Sequence, residues 1–479
     1  MIRVTLLSLL ILFLCVYSWK DWFKGTCWLV LFIAIIQHPD MPKSIFGIPG
    51  FNLWNLLFIN VMFSWLSDRR KNNLNWDMPL NLNVLFFIYM IVILISVLRL
   101  LSDQSGSIAL GEYLPQYGEL TFVVIFSEYI INCFKWSLLV FIIFDGARTE
   151  YRIKLLLWVL VAVYILLSLQ VIKSMGFGAL TISGDELQSK AFKVLSSNVG
   201  FHRVNLSMIL SGAFWLVFCM KEYVSIKKVY FIILPICSLI FVAQALTGGR
   251  MGYVTWAILG ILLCSLKWRK YFLLTPFILI GIGAIAPSAI ERVTMGFNDK
   301  SETMDVGRPD FGNKELDVHE MTSGRILAWP MVIDAIYERP LVGYGRLAMI
   351  NQAGISLKMI PIYGIGDTFP HPHNAYLELL LETGLIGAIP IFYLYYLFVK
   401  YSLSLFKDNR KSLYVVVGGA SLSILLSLLV AAFGSQSFYP REGSVLMLSI
   451  LGVMLRVYVD RDYSDKRSIK KGKNENYKK

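Results

Sequence analysis

Charge is what this sequence has least of. Only 16% of its 479 residues are Asp, Glu, Lys or Arg, where an average soluble domain carries roughly 25%. With 56% hydrophobic residues and a mean hydropathy of +0.61, the chain cannot clothe a water-exposed surface. That excludes a disordered chain, a coiled coil and an ordinary cytosolic enzyme. Cysteine is scarce as well. All six (Cys15, Cys27, Cys133, Cys219, Cys237, Cys264) lie in apolar segments and none in the long polar stretch, which fits packing rather than disulfide bonding. The CxxC and CxxxxH spacings of metal sites are missing, so no structural metal is expected. Internal repeats are absent, and the lysine-rich tail is the one low-complexity segment. The net charge of +13 is spread in short clusters between apolar runs, so it implies a membrane orientation and no nucleic-acid partner.

What the chain has in plenty is apolar runs of membrane-spanning size, about 20 residues each. They fall at 3–18, 25–37, 51–66, 81–101, 121–144, 154–174, 202–220, 229–246, 251–266, 271–289, 375–399, 412–433 and 443–458. The expected fold is an all-α polytopic membrane protein of about 12–13 transmembrane helices with one large, partly helical outer loop. The first run has Arg3 ahead of it like a signal peptide, but Tyr17, Ser18 and Trp19 offer no small-residue cleavage site, so a retained anchor is expected.

Arg69-Arg70-Lys71, Arg148/Arg152/Lys154, Lys221/Lys227/Lys228, Lys267/Arg269/Lys270 and Lys400/Lys407/Arg410/Lys411 occupy alternate connections, and eight more basic residues follow Asp460. These connections and the C-terminus are expected on the cytoplasmic side, and an odd number of spans then leaves the N-terminus outside. The chain divides into N-terminal transmembrane helices (1–289), a large outer loop (290–373), C-terminal transmembrane helices (374–458) and a basic cytoplasmic tail (459–479). The loop carries eleven acidic and eight basic residues over 84 positions. Loops longer than about 60 residues translocate whatever their charge, and loops of this length are usually functional. Within it, 324–336 alternates at helical period and reads as an amphipathic helix ending before Pro340, Gly343 and Gly345.

Three constellations could carry chemistry. The first is Pro370-His371-Pro372-His373-Asn374, where the loop re-enters the membrane; three of the five histidines (His319, His371, His373) lie in this outer region. Histidine is the commonest general base near neutrality, and His373 would stand at a helix N-terminus facing water. The alternative is a polar residue that marks the membrane boundary, and His371 is easily mistaken for His373. Asn374, Glu378 and Glu382 follow at four-residue spacing on one helix face. They either orient His373 or bind a sugar hydroxyl, or they form a solvated stripe.

The second constellation is arginine: Arg250 closes the short turn Thr247-Gly248-Gly249-Arg250, Arg203 opens a span, and Arg325 follows Ser323-Gly324. Outward guanidinium groups beside a histidine suit a phosphate-bearing donor, unless Arg250 and Arg203 simply snorkel to headgroups. The third is the turn Phe433–Glu442, rich in aromatic and hydrogen-bonding groups; it lines a glycan path or, the preferred reading, forms an aromatic belt. Glu128 and Lys135, seven apart in one span, are either a buried pair or each has a partner on another helix.

These residues resemble the O-antigen ligase family. His373-Asn374, nine residues, then Gly384-Leu385-Ile386-Gly387 is similar to its His-[Asn/Ser/Gln]-x9-Gly-x2-[Gly/Thr/Tyr] signature. Leu246–Arg250 looks like its Leu-Thr-x-Ser-Arg turn, with Gly249 in place of the usual serine. Ser323-Gly324-Arg325 with Trp329, and then Glu338–Gly345, look like its outer-loop helix and Gly-x-Gly turn. The resemblance covers roughly 195–455 and is shared with O-antigen polymerases and some protein O-oligosaccharyltransferases. It implies a GT-C-like, metal-independent, inverting glycosyltransferase of the bacterial inner membrane that needs no cofactor. Such an enzyme takes a glycan from undecaprenyl diphosphate on the periplasmic face and passes it to lipid A core. A polymerase would pass it to a second lipid-linked glycan, with a chain-length regulator as a possible partner. By the same resemblance, His373 is the base, and Arg250, Arg325 and Arg203 hold the diphosphate, with His371, Asn374, Glu378 and Glu382 in support. A transporter of lipid-linked glycans is the remote alternative, because repeated halves and broken helices at mid-membrane depth are not visible in the sequence.

Overall fold

The computed structural model describes residues 2–39, 41–42, 44–45, 52–274, 325–365, 368–434 and 437–476, apart from a few terminal side chains and those of Leu274, Arg325 and Ile326. His319 and most of the expected span at 271–289 lie outside the described residues. The chain begins with α1 (Ile2–Ser18), α2 (Trp22–Leu31), α3 (Leu53–Lys71) and α4 (Leu80–Ser102). A short α5 (Ser105–Tyr113) precedes α6 (Phe122–Gly146), α7 (Glu150–Met175) and α8 (Gly184–Asn198). Then come α9 (Arg203–Cys219), α10 (Ile226–Leu246) and α11 (Arg250–Leu266). The C-terminal part holds α12 (Trp329–Glu338), α13 (Ile355–Tyr363), α14 (Ala375–Phe406), α15 (Ser412–Ala431) and α16 (Val445–Asn476).

The protein is an all-α polytopic membrane protein. Among the described residues, eight helices are long and apolar enough to cross a bilayer, and three shorter apolar helices (Arg3–Ser18, Trp22–Ala34 and α11) accompany them. Helix α3, 19 residues long, closes on Arg69-Arg70-Lys71. The polar connections therefore set helix length as much as the apolar runs do.

Local chemistry explains where helices start. Asn52 caps α3 by accepting the Asn55 N–H at 2.8 Å, and Thr149 caps α7 by accepting that of Arg152 at 3.3 Å. In the core, α9 packs between α11 and α15 through small hydroxyl side chains. The Ser211 hydroxyl donates to the Gly252 carbonyl at 2.7 Å, and the Ser427 hydroxyl donates to the Met208 carbonyl at 2.6 Å. Small residues permit such close approach where no water competes.

The helices run up and down, so the connections sort to two ends. At one end the basic clusters meet acidic partners. Asp145, fully buried, accepts from Arg69, from Arg148 at 2.5 Å and from the Trp65 indole at 2.8 Å. Arg456, 2% exposed, pairs with Asp77 at 2.7 Å, and Arg410 reaches Asp465 at 2.6 Å. Burying Asp145 is tolerable because its carboxylate is multiply hydrogen-bonded, whereas Arg410 and Asp465 meet at the exposed rim. Glu128 and Lys135 in α6 do not pair directly. The Asn132 amide bridges them, donating to Glu128 at 2.9 Å and accepting from Lys135 at 2.6 Å, while the Lys135 ammonium lies 4.0 Å from the Trp136 ring centroid. A π-helical stretch, Ile125–Ile131, precedes Asn132 and changes the register that a seven-residue α-helical spacing would impose.

Candidate active site

At the opposite end, α14 begins where the long loop ahead of it returns to the bundle. Its cap is Asn374, whose side-chain oxygen accepts the N–H groups of Tyr376 (3.1 Å) and Leu377 (3.3 Å). His373, just before it, holds a left-handed backbone with φ +50°, uncommon for a residue with a β-carbon. The segment is pinned on both sides. Ahead of it, the Trp329 indole at the start of α12 donates to the Pro372 carbonyl at 3.0 Å, and behind it the Ala375 N–H donates to the Ala432 carbonyl at 2.7 Å. The His371 and His373 rings meet edge-on with centroids 4.1 Å apart, and Phe369 packs against His373 at 5.4 Å.

Glu378 and Glu382 are not a solvated stripe. One guanidinium, Arg346, clamps both, at 3.2 Å and 2.6 Å, and all three side chains are 13% exposed or less. The second oxygen of Glu382 accepts the Leu347 N–H at 2.8 Å. The Arg346 guanidinium carbon sits 3.8 Å from the Tyr439 ring centroid. Burial opposes the arginine's charge, but Glu382, with Tyr439 and Glu378, outweighs it and holds Arg346 protonated well above the ordinary arginine range. Burial and then the Glu382 charge push the Tyr439 phenol well above its usual range. His371 and Arg441 lie within electrostatic reach of Glu378. Tyr439 is 3% exposed, so the turn that reads as an aromatic belt instead sends its tyrosine inward, where the buried guanidinium recruits it.

The signature glycines have a backbone explanation. Loop 340–347 lies along a break in α14 at Gly384 (φ +60°). Leu385 and Ile386 donate to the carbonyls of Pro340 (2.8 Å) and Leu341 (3.0 Å), while Tyr344 and Gly345 donate to Leu381 and Glu382, both at 2.8 Å. A β-carbon at Gly384 would fall 2.3 Å from the Leu341 carbonyl carbon, and one at Gly343 2.6 Å from the Leu381 oxygen. Gly384→Ala is therefore expected to lower the melting temperature of the detergent-solubilised protein, with at least about 1–3 kcal/mol from backbone strain alone. An unchanged melting curve would contradict this packing.

The arginine turn sits at the same end. Arg203 donates to the Gly248 carbonyl at 3.1 Å and so braces the turn that ends in Arg250. Gly249 caps α11, and Met251 packs with Val204, Met208 and Ala431, next to the Ala432 that holds Ala375. Helices thus bring Arg203, Arg250 and His373 to one end of the bundle. The backbone of Arg325 opens a 3-10 turn, Arg325–Ala328, one turn before Trp329. Among the described residues, no group of three His, Cys, Asp or Glu is placed to hold a metal. Arg346 escapes sequence reading because its partners lie 32 and 36 positions away. The available signal was a pair of membrane-edge carboxylates that needed a cation.

The pinned histidine, the glycine break and the arginine turn all fall within 235–392, or brace it, and this stretch matches the family model described as O-antigen ligase. Over this stretch, about a third of the chain, the protein is similar to the O-antigen ligase family. Three curated proteins show the same kinship. A Rickettsia conorii protein named "Putative polysaccharide ligase" is 28% identical over 24% of this chain and 30% of its own length. The "ComP-specific O-oligosaccharyltransferase" of Acinetobacter baylyi is 27% identical over 40% of this chain and 33% of its own. A Rickettsia felis protein, also named "Putative polysaccharide ligase", is 30% identical over 19% of this chain and 23% of its own. The matches thus span a third or less of these relatives' length.

Proposed function

We propose that this O-antigen-ligase-like protein transfers a polysaccharide from undecaprenyl diphosphate to lipid A core at the periplasmic face of the bacterial inner membrane. The observation that carries the reading is His373, pinned in a left-handed conformation at the mouth of α14, at the same end as the turn braced by Arg203. His373 is the base and takes the proton of the acceptor hydroxyl. The acceptor oxygen bonds to the anomeric carbon, whose bond to the diphosphate oxygen breaks, and undecaprenyl diphosphate leaves with the electron pair. Attack opposite the leaving group inverts that carbon. Arg250 and Arg325, with Arg203 bracing, hold the diphosphate and stabilise the charge it gains. The diphosphate is already a good leaving group, so fixed guanidinium groups and one base suffice. Stringent chelation should leave the transfer rate unchanged, and a loss restored by a divalent cation would overturn the metal-free scheme.

The basic end carries Arg69, Arg148, Arg410 and Arg456, which supports placing that end and the C-terminus in the cytoplasm. Deleting the gene in its host and separating the surface and lipid-linked glycans on a gel tests the acceptor. Long polymer on undecaprenyl diphosphate with bare core is the expected result. Core carrying a single repeat unit would make the protein a polymerase joining lipid-linked repeats. The kinship with an O-oligosaccharyltransferase favours one second reading, a protein hydroxyl as acceptor, which loss of glycan from a host protein with the core ladder intact would establish.

A further inference from the structure

We infer that a polar cleft beside the Arg346 cluster is a subsite for one sugar ring of the transferred or accepting glycan. The inference rests on the proposed glycan transfer. The cleft holds about 220 Å³ and lies between the start of α9 and the turn leading into α16. At roughly 30 Å³ per water, that is the room of about seven waters, the size of a single pyranose.

Its walls match a polyhydroxyl ligand better than an anion or an acyl chain. A sugar hydroxyl both donates and accepts, and this cleft offers both capacities. Arg441 donates, Glu442 accepts, and Asn205, Gln37 and Ser437 can each do either. One cation and one carboxylate leave its side walls without a dominant sign, which disfavours a free phosphate. Phe201 and Tyr439, 5% and 3% exposed, contribute only ring edges that close the floor of the cleft.

The cleft is also preorganised. Tyr439 is fixed from behind by the Arg346 guanidinium at 3.8 Å. Arg441 and Ser444 cap each other, the Ser444 hydroxyl accepting the Arg441 N–H at 3.0 Å and donating to its carbonyl at 2.8 Å. The first turn of α9 enters from the other side, its His202 side chain capping the Val204 N–H. A wall that does not rearrange spends little binding energy on ordering itself. Because Tyr439 touches both the cleft and the clamp on α14, a sugar seated here stands one side chain away from the helix that His373 opens.

A β-carbon at Gly443, in the cleft wall, would meet nothing within 4 Å, and the same is true of Gly178, in the 3-10 turn Phe177–Leu180 outside the cleft lining. Gly443→Leu therefore adds bulk at the cleft wall without a backbone clash, and Gly178→Leu is a control of equal size. The probe is the repeat-unit oligosaccharide hydrolysed from the host's own surface glycan. Its saturation-transfer NMR signal is recorded with the full chain in nanodiscs. Wild type, Gly178→Leu and His373→Ala should all give the signal, and Gly443→Leu should weaken it about tenfold, the equivalent of one or two hydrogen bonds.

A signal unchanged in Gly443→Leu, or absent in wild type, overturns the subsite. Displacement of the oligosaccharide by glycerophosphoethanolamine assigns the cleft to a lipid headgroup and overturns it equally. If His373→Ala still transfers glycan while the binding pattern holds, the catalytic reading fails and the subsite stands.

Discussion

His373→Ala should cut glycan transfer by about 10²–10⁴-fold, the usual contribution of a positioned base, while the protein still accumulates in the membrane. The fold should survive because its pinning contacts belong to neighbours: Trp329 holds the Pro372 carbonyl and Ala432 holds the Ala375 N–H. Alanine keeps a β-carbon, so the backbone at φ +50° is strained as before. His373→Gly removes that strain and the imidazole together, so an equally inactive glycine variant ties the loss to the ring. His371→Ala, which takes away an edge contact 4.1 Å distant, should lose only part of the activity. The comparison is made by complementing the deletion strain and measuring ladder intensity. Near-normal ladder from His373→Ala would end its assignment as base.

Arg346→Ala should destabilise the protein by about 3–5 kcal/mol, because it strands two largely buried carboxylates without their shared cation. Glu382 is 3% exposed and Glu378 13%, and alanine removes the one guanidinium bonded to both. The thermal transition of the purified protein should fall well below wild type. Arg346→Met with Glu382→Met should recover much of the loss, since removing a buried charge together with its partner is far less damaging than removing one alone. Arg346→Lys restores a charge but not the fork that reaches both carboxylates, and it should fall in between. If Arg346→Ala melts like wild type, the clamp carries no structural weight.

Hydropathy and the basic clusters made the membrane class and the two ends of the bundle legible, because the bilayer imposes length and charge rules on every span. The helix at Trp329–Glu338 was legible from its apolar period, and the start of α14 from Asn374. What escaped depends on contacts distant in sequence. Arg346 follows directly on the Gly-Tyr-Gly run, yet nothing local distinguishes it from the other loop arginines. Its meaning comes from Glu378 and Glu382 folding back onto it. Tyr439 reads as an interface aromatic because composition cannot tell whether a turn points its ring outward or at a buried cation. Glu128 and Lys135 left open a direct pair or partners on other helices: Asn132 bridges the two, and the Lys135 ammonium also donates to Asn55 of α3 at 3.0 Å.

The break at Gly384 has a further consequence. The amides of Leu385 and Ile386 donate not to their own helix but to Pro340 and Leu341, so their protection from solvent deuterium depends on the loop staying docked. Slow exchange at these two amides, in step with the helix below them, would mean that the loop and α14 open as one unit. Faster exchange would time the undocking of the loop itself, at two addressable positions one turn below the Arg346 clamp.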